Sequence, residues 1–407
     1  MNQASALPRR PLLGLELGDD LVVARVDAAG TASSAGVLRS DVLVALNGVA
    51  LRDGGHLVER ARELIVGSPV IFSVLRDGVR LDLTAPAIAL PLESIDGGVV
   101  ELSHVRVGQH RLRTIVTTPS AAPPLDAAIL YLQGLDCASC EHPLEPQHPE
   151  SALLAELTRS GLCTMRIERR GVGDSEGPPC RDTTLDDELA MARAAINELR
   201  KRSERVFLFG HSVGGMIAPL VARGGVAGVI VFGTSPMRWH DCIVGTTARQ
   251  RALAGLAVDP RWTALHAAIC CEGLTPEEAF ARDPRLRALE SADCRGRYLF
   301  GRHASFFQKL QRIELLDAWR SIVAPTLALH GEYDFVCTEG DAASIAEATR
   351  GEHVELPKIG HDGRAHESLH AAFRDPGAGT PSDAIAEATL SFVRALLPHK
   401  LAESLKP

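Results

Sequence analysis

The sequence predicts an α/β protein built on a doubly wound, mainly parallel sheet with a helical cap, preceded by a small β-rich unit. Three observations carry that prediction. Between residues 127 and 397 short apolar runs alternate with longer amphipathic ones, the pattern left by strands exchanging with helices. The run at 127–132, Ala-Ala-Ile-Leu-Tyr-Leu, is apolar without alternation, which suits a strand covered on both faces. Finally, Val206-Phe207-Leu208-Phe209-Gly210-His211-Ser212-Val213-Gly214-Gly215 reads as a buried strand running through a tight turn into a helix, with Ser212 at the bend.

A chain of 407 residues exceeds what one core usually serves, so two domains are expected. The 43 basic and 51 acidic residues leave a net charge of −8, and no basic stripe stands out, which argues against nucleic acid as a partner. Nine cysteines without a repeating spacing, and an N-terminus with no signal-peptide core, read as a reduced, cytoplasmic protein. No apolar run approaches the roughly 20 residues of a membrane helix. No cofactor or metal is implied.

Residues 11–86 form a block of their own. Strand-like runs at 12–17, 21–26, 41–46, 70–75 and 79–83 are separated by Gly, Asp and Asn turns, with a helical pattern near 55–66. Leu13-Gly14-Leu15, Ala35-Gly36-Val37-Leu38 before Asp41-Val42-Leu43, the turn Asn47-Gly48, and the hairpin turn at Asp77-Gly78 together resemble a bacterial PDZ domain. Ser40 departs from that family, which usually carries glycine before the aspartate. The resemblance implies that the amides of Leu13, Gly14 and Leu15 hold the carboxylate of an extended peptide added as a strand; docking on the second domain without a peptide is the alternative. An Ala/Pro-rich linker is expected at 87–96.

The second domain is expected over 97–398. Strands are read at 99–107, 112–117, 127–132, 163–167, 206–209, 226–232, 326–330 and 353–356, and helices at 149–159, 184–200 and 383–397. A helix-rich segment at about 236–321 interrupts the alternation. Besides the Ser212 turn, Arg170-Gly171-Val172-Gly173-Asp174-Ser175-Glu176-Gly177, Leu329-His330-Gly331-Glu332-Tyr333-Asp334 and Gly360-His361-Asp362 make this block resemble the α/β-hydrolase family. That resemblance implies a cap at the interruption.

A serine hydroxyl is a poor nucleophile near neutral pH, so it needs a base to take its proton and a third group to hold that base. Ser212, Asp334 and His361 occur in the order this fold requires, serine, acid, histidine. Glu332 competes with Asp334, and His353, His366 and His370 compete with His361. The oxyanion donors implied are the amides of Val213, at the helix start, and Leu135, in the loop Gln133-Gly134-Leu135-Asp136. Cys137-Ala138-Ser139-Cys140 and the adjacent Cys270-Cys271 lack the partners of a zinc site and are expected to be structural thiols, with Cys137 or Cys140 lining the pocket as the alternative. Arg238-Trp239-His240 is either a substrate anchor or the base of the cap.

The activity expected is a serine hydrolase cleaving a carboxylic ester or thioester through an acyl-enzyme, on a small-molecule or carrier-bound acyl substrate. A peptidase, amidase or acyltransferase uses the same residues. A non-catalytic scaffold working through the PDZ-like domain is the alternative of another class.

Overall fold

The computed structural model describes residues 7–291 and 293–398; residues 1–6, part of the stretch read for a leader, lie outside them. The chain divides into two units, Met1–Glu93 and Ser94–Pro407.

In the first unit, strands Val42–Leu46, Pro69–Arg76 and Val79–Pro86 pair antiparallel with the short strand Val49–Ala50 at the edge, and Leu15–Leu17 pairs with Val23–Val26. Leu43, Leu57, Phe72 and Val74 are buried in its core, with Leu57 contributed by the helix Gly54–Ala61. Ser40, where glycine was expected, has a φ of 73°, the left-handed conformation that glycine adopts most easily. The expected linker is not free along its length. Leu12 N–H donates to Ile88 O at 2.7 Å and Leu90 N–H to Arg10 O at 2.9 Å, so 87–90 closes the first unit.

The second unit is organised by eight strands: β1 (Gly98–Val107), β2 (His110–Pro119), β3 (Ala128–Leu132), β4 (Cys163–Ile167), β5 (Val206–His211), β6 (Gly228–Phe232), β7 (Thr326–Tyr333) and β8 (Glu352–Gly360). Their order across the sheet is β1-β2-β4-β3-β5-β6-β7-β8. Only β2 runs against the others, since it is antiparallel to both β1 and β4. Alternation within the central strands explains the continuous apolar runs. Leu130, Leu208, Val229 and Val231 enter one core, with Met191 and Ile196 of α2 (Leu185–Leu199) and Met216 and Ile217 of α3 (Val213–Ala222). Ile129, Phe207, Phe209 and Ile230 enter the other, with Leu154 and Leu157 of α1 (Pro149–Arg159) and the C-terminal helix Ala384–Leu396. Both faces are therefore dry, and a polar residue on either would be buried.

Between β6 and β7 the chain leaves the sheet for α4 (Trp239–Leu253), α5 (Pro260–His266), α6 (Pro276–Arg282), the hairpin Tyr298–Leu299 with Arg302–His303, α7 (Ala304–Gln311) and α8 (Leu315–Arg320). The sequence reading has no helix between β7 and β8, where α9 (Glu339–Thr349) lies; its start is fixed by a capping box of Thr338 and Asp341.

The approach of α3 to the end of β3 is the tightest backbone contact that bears on function. A Cβ at Gly214 would lie 2.0 Å from Leu132 O, and one at Gly210 would lie 2.7 Å from Gly214 O. In contrast, Gly245 in α4 has only the end of Arg249 nearby, at 3.5 Å. Gly245→Ala is therefore expected to stabilise by about 0.5–1 kcal/mol. Gly214→Ala is expected to cost at least about 1–3 kcal/mol. Urea denaturation of the full chain checks both signs.

Candidate active site

The turn between β5 and α3 holds Ser212 at φ 52° and ψ −120°, a conformation that costs a non-glycine residue about 1–3 kcal/mol. Close packing keeps it there. Ser212 N–H donates to Phe232 O at 3.0 Å, and Gly215 N–H to Ser212 O at 2.9 Å. The hydroxyl stands at the C-terminal end of β5, on the same edge of the sheet as the ends of β7 and β8. Asp334 follows β7, and His361 follows β8.

These three side chains meet. His361 Nε2 is 3.2 Å from Ser212 Oγ, and His361 Nδ1 is 2.9 Å from Asp334 Oδ2. The other carboxylate oxygen of Asp334 accepts from Val336 N–H at 2.7 Å and Cys337 N–H at 2.9 Å. Burial opposes ionisation of Asp334, but the His361 charge and these bonds outweigh it and hold the carboxyl below its ordinary value. Burial likewise opposes the imidazolium of His361, and the charge and hydrogen bond of Asp334 outweigh it and raise that group. The pairing contributes stability on the His361 side that is fully present below about pH 6.5 and lost as pH rises through the raised value. On the Asp334 side the contribution is present above about pH 3.9 and lost as pH falls through the lowered value.

Two residues complete this arrangement that sequence reasoning did not single out. A Cβ on Gly233 would lie 3.0 Å from His361 Nδ1 and 3.1 Å from Asp334 Oδ2, so only glycine leaves room for the pair. His211, beside the serine, has Nε2 2.9 Å from His361 O. Burial, then the neighbouring His361, push His211 down to about 4, so it is neutral and donates from Nε2 to that carbonyl. The G-x-S-x-G spacing pointed to this neighbourhood, but the pairing of His211 with a residue 150 positions away has no signal in the sequence.

The rivals lie elsewhere. Glu332 accepts from Lys358 N–H at 2.8 Å. His353 is 3.9 Å from Glu339, His366 is buried 3.3 Å from Asp362, and His370 is exposed. Of Arg238-Trp239-His240, Trp239 lines the cavity beside Ser212, whereas Arg238 pairs with Glu314 and His240 N–H donates to Gln311. The turn at 170–176 is held by ion pairs of Asp174 with Arg113 at 3.0 Å and Glu176 with Arg111 at 2.6 Å.

Leu135 and Val213 flank the serine. Val213 is the first residue of α3, so its N–H has no intrahelical acceptor. The loop carrying Leu135 is clamped from behind by two buried arginines. Arg169 donates to Gly134 O and Asp136 O, both at 2.6 Å, and Arg302 to Leu135 O at 3.3 Å. Because the Gly134–Leu135 peptide is trans, a carbonyl turned to Arg169 turns the Leu135 N–H the opposite way. The same peptide borders the serine, a Cβ at Gly134 falling 3.6 Å from Ser212 Cβ. Glu188 anchors both guanidinium groups at 2.7 Å. Burial alone would raise its carboxyl, but the two arginines outweigh that and lower it.

The cysteine expectation needs one correction. Cys137 is not a structural thiol but is bonded to Cys180, tying the loop after β3 to the segment that leads into α2. Spacing hid the bond because its partner stands 43 residues on, outside the C-x-x-C pattern. Such bonds persist in oxidising compartments, so the reading of a reduced, cytoplasmic protein loses its support there. Among the described residues no helix is long and apolar enough to cross a membrane. Asp334, Cys337 and His361 bring three donor types within 4.8 Å of one another. The Cys337 thiol, pushed well up by burial and donating to Gly233 O at 3.2 Å, is in its protonated form, which is not the ligand form.

Two outcomes follow. Histidine side-chain NMR is expected to place His211 near 4 and His361 above its ordinary value, with Asp334→Asn lowering His361 because burial, the largest influence, is then opposed only by the Asp362 charge. Peptide mapping without reductant is expected to recover Cys137 joined to Cys180.

Comparison with known proteins agrees with this architecture. The family model described as "Alpha/beta hydrolase family" matches residues 146–378, and a PDZ domain model matches residues 11–86. No curated protein matches the chain. Among solved structures, Est1E from Butyrivibrio proteoclasticus is 18% identical, over 72% of this chain and 99% of that one, with a TM-score of 0.46. A proline iminopeptidase-related protein from Thermus thermophilus is 21% identical, over 74% and 99%, with a TM-score of 0.47. The esterase domain of a Rhodothermus marinus protein is 19% identical, over 73% and 98%, with a TM-score of 0.44. With more than half of its residues matched by the first of these family models, the chain belongs to the α/β-hydrolase family and carries a PDZ domain ahead of the hydrolase domain.

Proposed function

We propose that the protein is a serine hydrolase that cleaves a carboxylic ester or thioester through an acyl-enzyme on Ser212. The observation that carries this reading is the continuous chain of contacts from Ser212 Oγ through His361 to Asp334, at 3.2 and 2.9 Å. His361 takes the hydroxyl proton as Ser212 Oγ bonds to the acyl carbon, and the carbonyl electron pair moves to oxygen. The amides of Val213 and Leu135 hold that oxyanion. His361 then gives its proton to the leaving group as the acyl bond breaks, and water repeats the cycle to free the acid. Asp334 fixes the tautomer and stabilises the imidazolium. His211, through the His361 carbonyl, is a positioning residue.

For the first unit we propose capture of an extended peptide end by the loop Leu13, Gly14 and Leu15. The PDZ match and the left-handed Gly14, at φ 69°, support it. The loop is pressed so closely on Gly30 that a Cβ at Gly14 would lie 2.7 Å from Gly30 Cα.

A fluorophosphonate is expected to label the full chain at Ser212, and Ser212→Ala is expected to abolish both labelling and ester turnover, a loss of roughly 10⁴-fold or more. Labelling that persists in that variant, or a chain that neither labels nor turns over acyl esters and thioesters, contradicts the reading.

A further inference from the structure

Two cavities that differ in polarity meet at Ser212. One, of about 470 Å³, runs beneath α4 and α5 and is walled by apolar and aromatic side chains such as Met216, Trp239, Ile243, Trp262 and Phe300. The other, of about 670 Å³, is the more polar of the two, with charged side chains such as Asp136, Glu145 and Asp362 set among apolar surface. Among the described residues, only Leu135, Ser212 and Phe300 line both. Phe300 is set at this junction by the tip of the hairpin Tyr298–Leu299 with Arg302–His303, where Phe300 and Gly301 both have positive φ, as a type I′ turn requires. It is braced there against His266 at 5.5 Å and Phe307 at 5.8 Å. Burial pushes His266 down to about 4, so that ring is neutral, and the one guanidinium lining the cavity among the described residues, Arg251, donates to Ala257 O.

The position of His361 decides which half of a substrate enters which cavity. It lines the polar cavity and not the apolar one. A leaving oxygen must come within reach of the imidazole to be protonated as the acyl bond breaks. The leaving group therefore occupies the polar cavity, and the acyl group has the apolar cavity.

The polar cavity also carries a charge bias. Asp136, Glu145, Glu150 and Asp362 line it against one arginine, Arg364. That guanidinium faces Asp362 at 3.7 Å and donates to Gly379 O at 3.2 Å and Gln147 O at 3.0 Å. A phosphate or carboxylate on the leaving group would meet a lining in which, among the described residues, carboxylates outnumber guanidinium groups four to one, with His142 and His148 among its other nitrogen bases.

We propose that the substrate is an ester of an apolar carboxylic acid with a hydrophilic alcohol that bears no negative charge. The acyl chain fills the cavity under α4 and α5, and the alcohol fills the acidic cavity beside His361. This assignment rests on Ser212 being the nucleophile. It sets neutral polyol esters above acyl groups carried on phosphate-bearing thiols, and so narrows the ester or thioester reading to the former.

Reversed esters test it on the full chain. Glyceryl monohexanoate is expected to be hydrolysed with a kcat/KM at least tenfold above that of hexyl glycerate, which holds the same two ends the other way round. Lengthening the acyl group from acetyl to hexanoyl is expected to raise kcat/KM by about fourfold per methylene, corresponding to roughly 0.8 kcal/mol for each one buried. A glycerophosphate monohexanoate is expected to be slower than the neutral ester, and Glu145→Gln combined with Glu150→Gln to narrow that gap. Ile243→Trp is expected to lower the hexanoyl to acetyl ratio. Equal or inverted rates for the reversed pair, or a phosphate-bearing ester cleaved as fast as the neutral one, overturn the assignment while fluorophosphonate labelling of Ser212 leaves the nucleophile standing. Loss of both labelling and turnover overturns the nucleophile and the assignment with it.

Discussion

The backbone at Ser212 is the constraint on which the rest depends. A serine at φ 52° and ψ −120° persists only if its surroundings leave no easier conformation, and those surroundings are glycine. With Gly214 against Leu132 O and Gly210 against Gly214 O, α3 starts almost in contact with the end of β3. One approach therefore lifts the hydroxyl off the sheet, sets the Val213 amide beside it, and draws the Gln133-Gly134-Leu135 loop alongside. The parallel sheet supplies the frame, because the ends of β5, β7 and β8 emerge on one edge, where Ser212, Asp334 and His361 converge.

Electrostatics holds what packing brings together. Burial pushes the Asp334 carboxyl up; the imidazole of His361 and two backbone N–H groups outweigh it and hold the group below its ordinary value. Behind the Leu135 loop, Arg169 and Arg302 share Glu188 in the interior, and breaking a buried arrangement of this kind commonly costs about 3–5 kcal/mol. Arg302 belongs to the excursion between β6 and β7, so the segment that walls the apolar cavity also orients a peptide beside the serine. This excursion and the Ser212 turn are thus coupled through the carbonyls of Gly134, Leu135 and Asp136.

Much of this was legible in the sequence, for identifiable reasons. The central strands are buried on both faces, which leaves unbroken apolar runs such as Phe207-Leu208-Phe209. The G-x-S-x-G turn is legible because steric exclusion admits only glycine at those positions. The helix Glu339–Thr349 was not legible: its run of alanines and short polar residues has little apolar contrast, and the capping box at Thr338 and Asp341 does not stand out unless a helix is already expected. Contacts made at long range left no trace either. The Cys137–Cys180 bond, the His211 bond to His361 O and the space that Gly233 leaves for the imidazole all depend on which loops the fold brings together. The division into apolar and acidic cavities is likewise assembled from separate segments, and no stretch of sequence carries it.

The measurement that tests the central claim most directly is rapid quenching of the full chain with an apolar acyl ester, followed by intact-mass and peptide mass spectrometry. The account predicts a transient adduct of the mass of the acyl group, located on the peptide that contains Ser212 and lost as hydrolysis completes. Turnover with no acyl adduct at any quench time, or an adduct on a different residue such as Ser139 in the neighbouring loop, would contradict it.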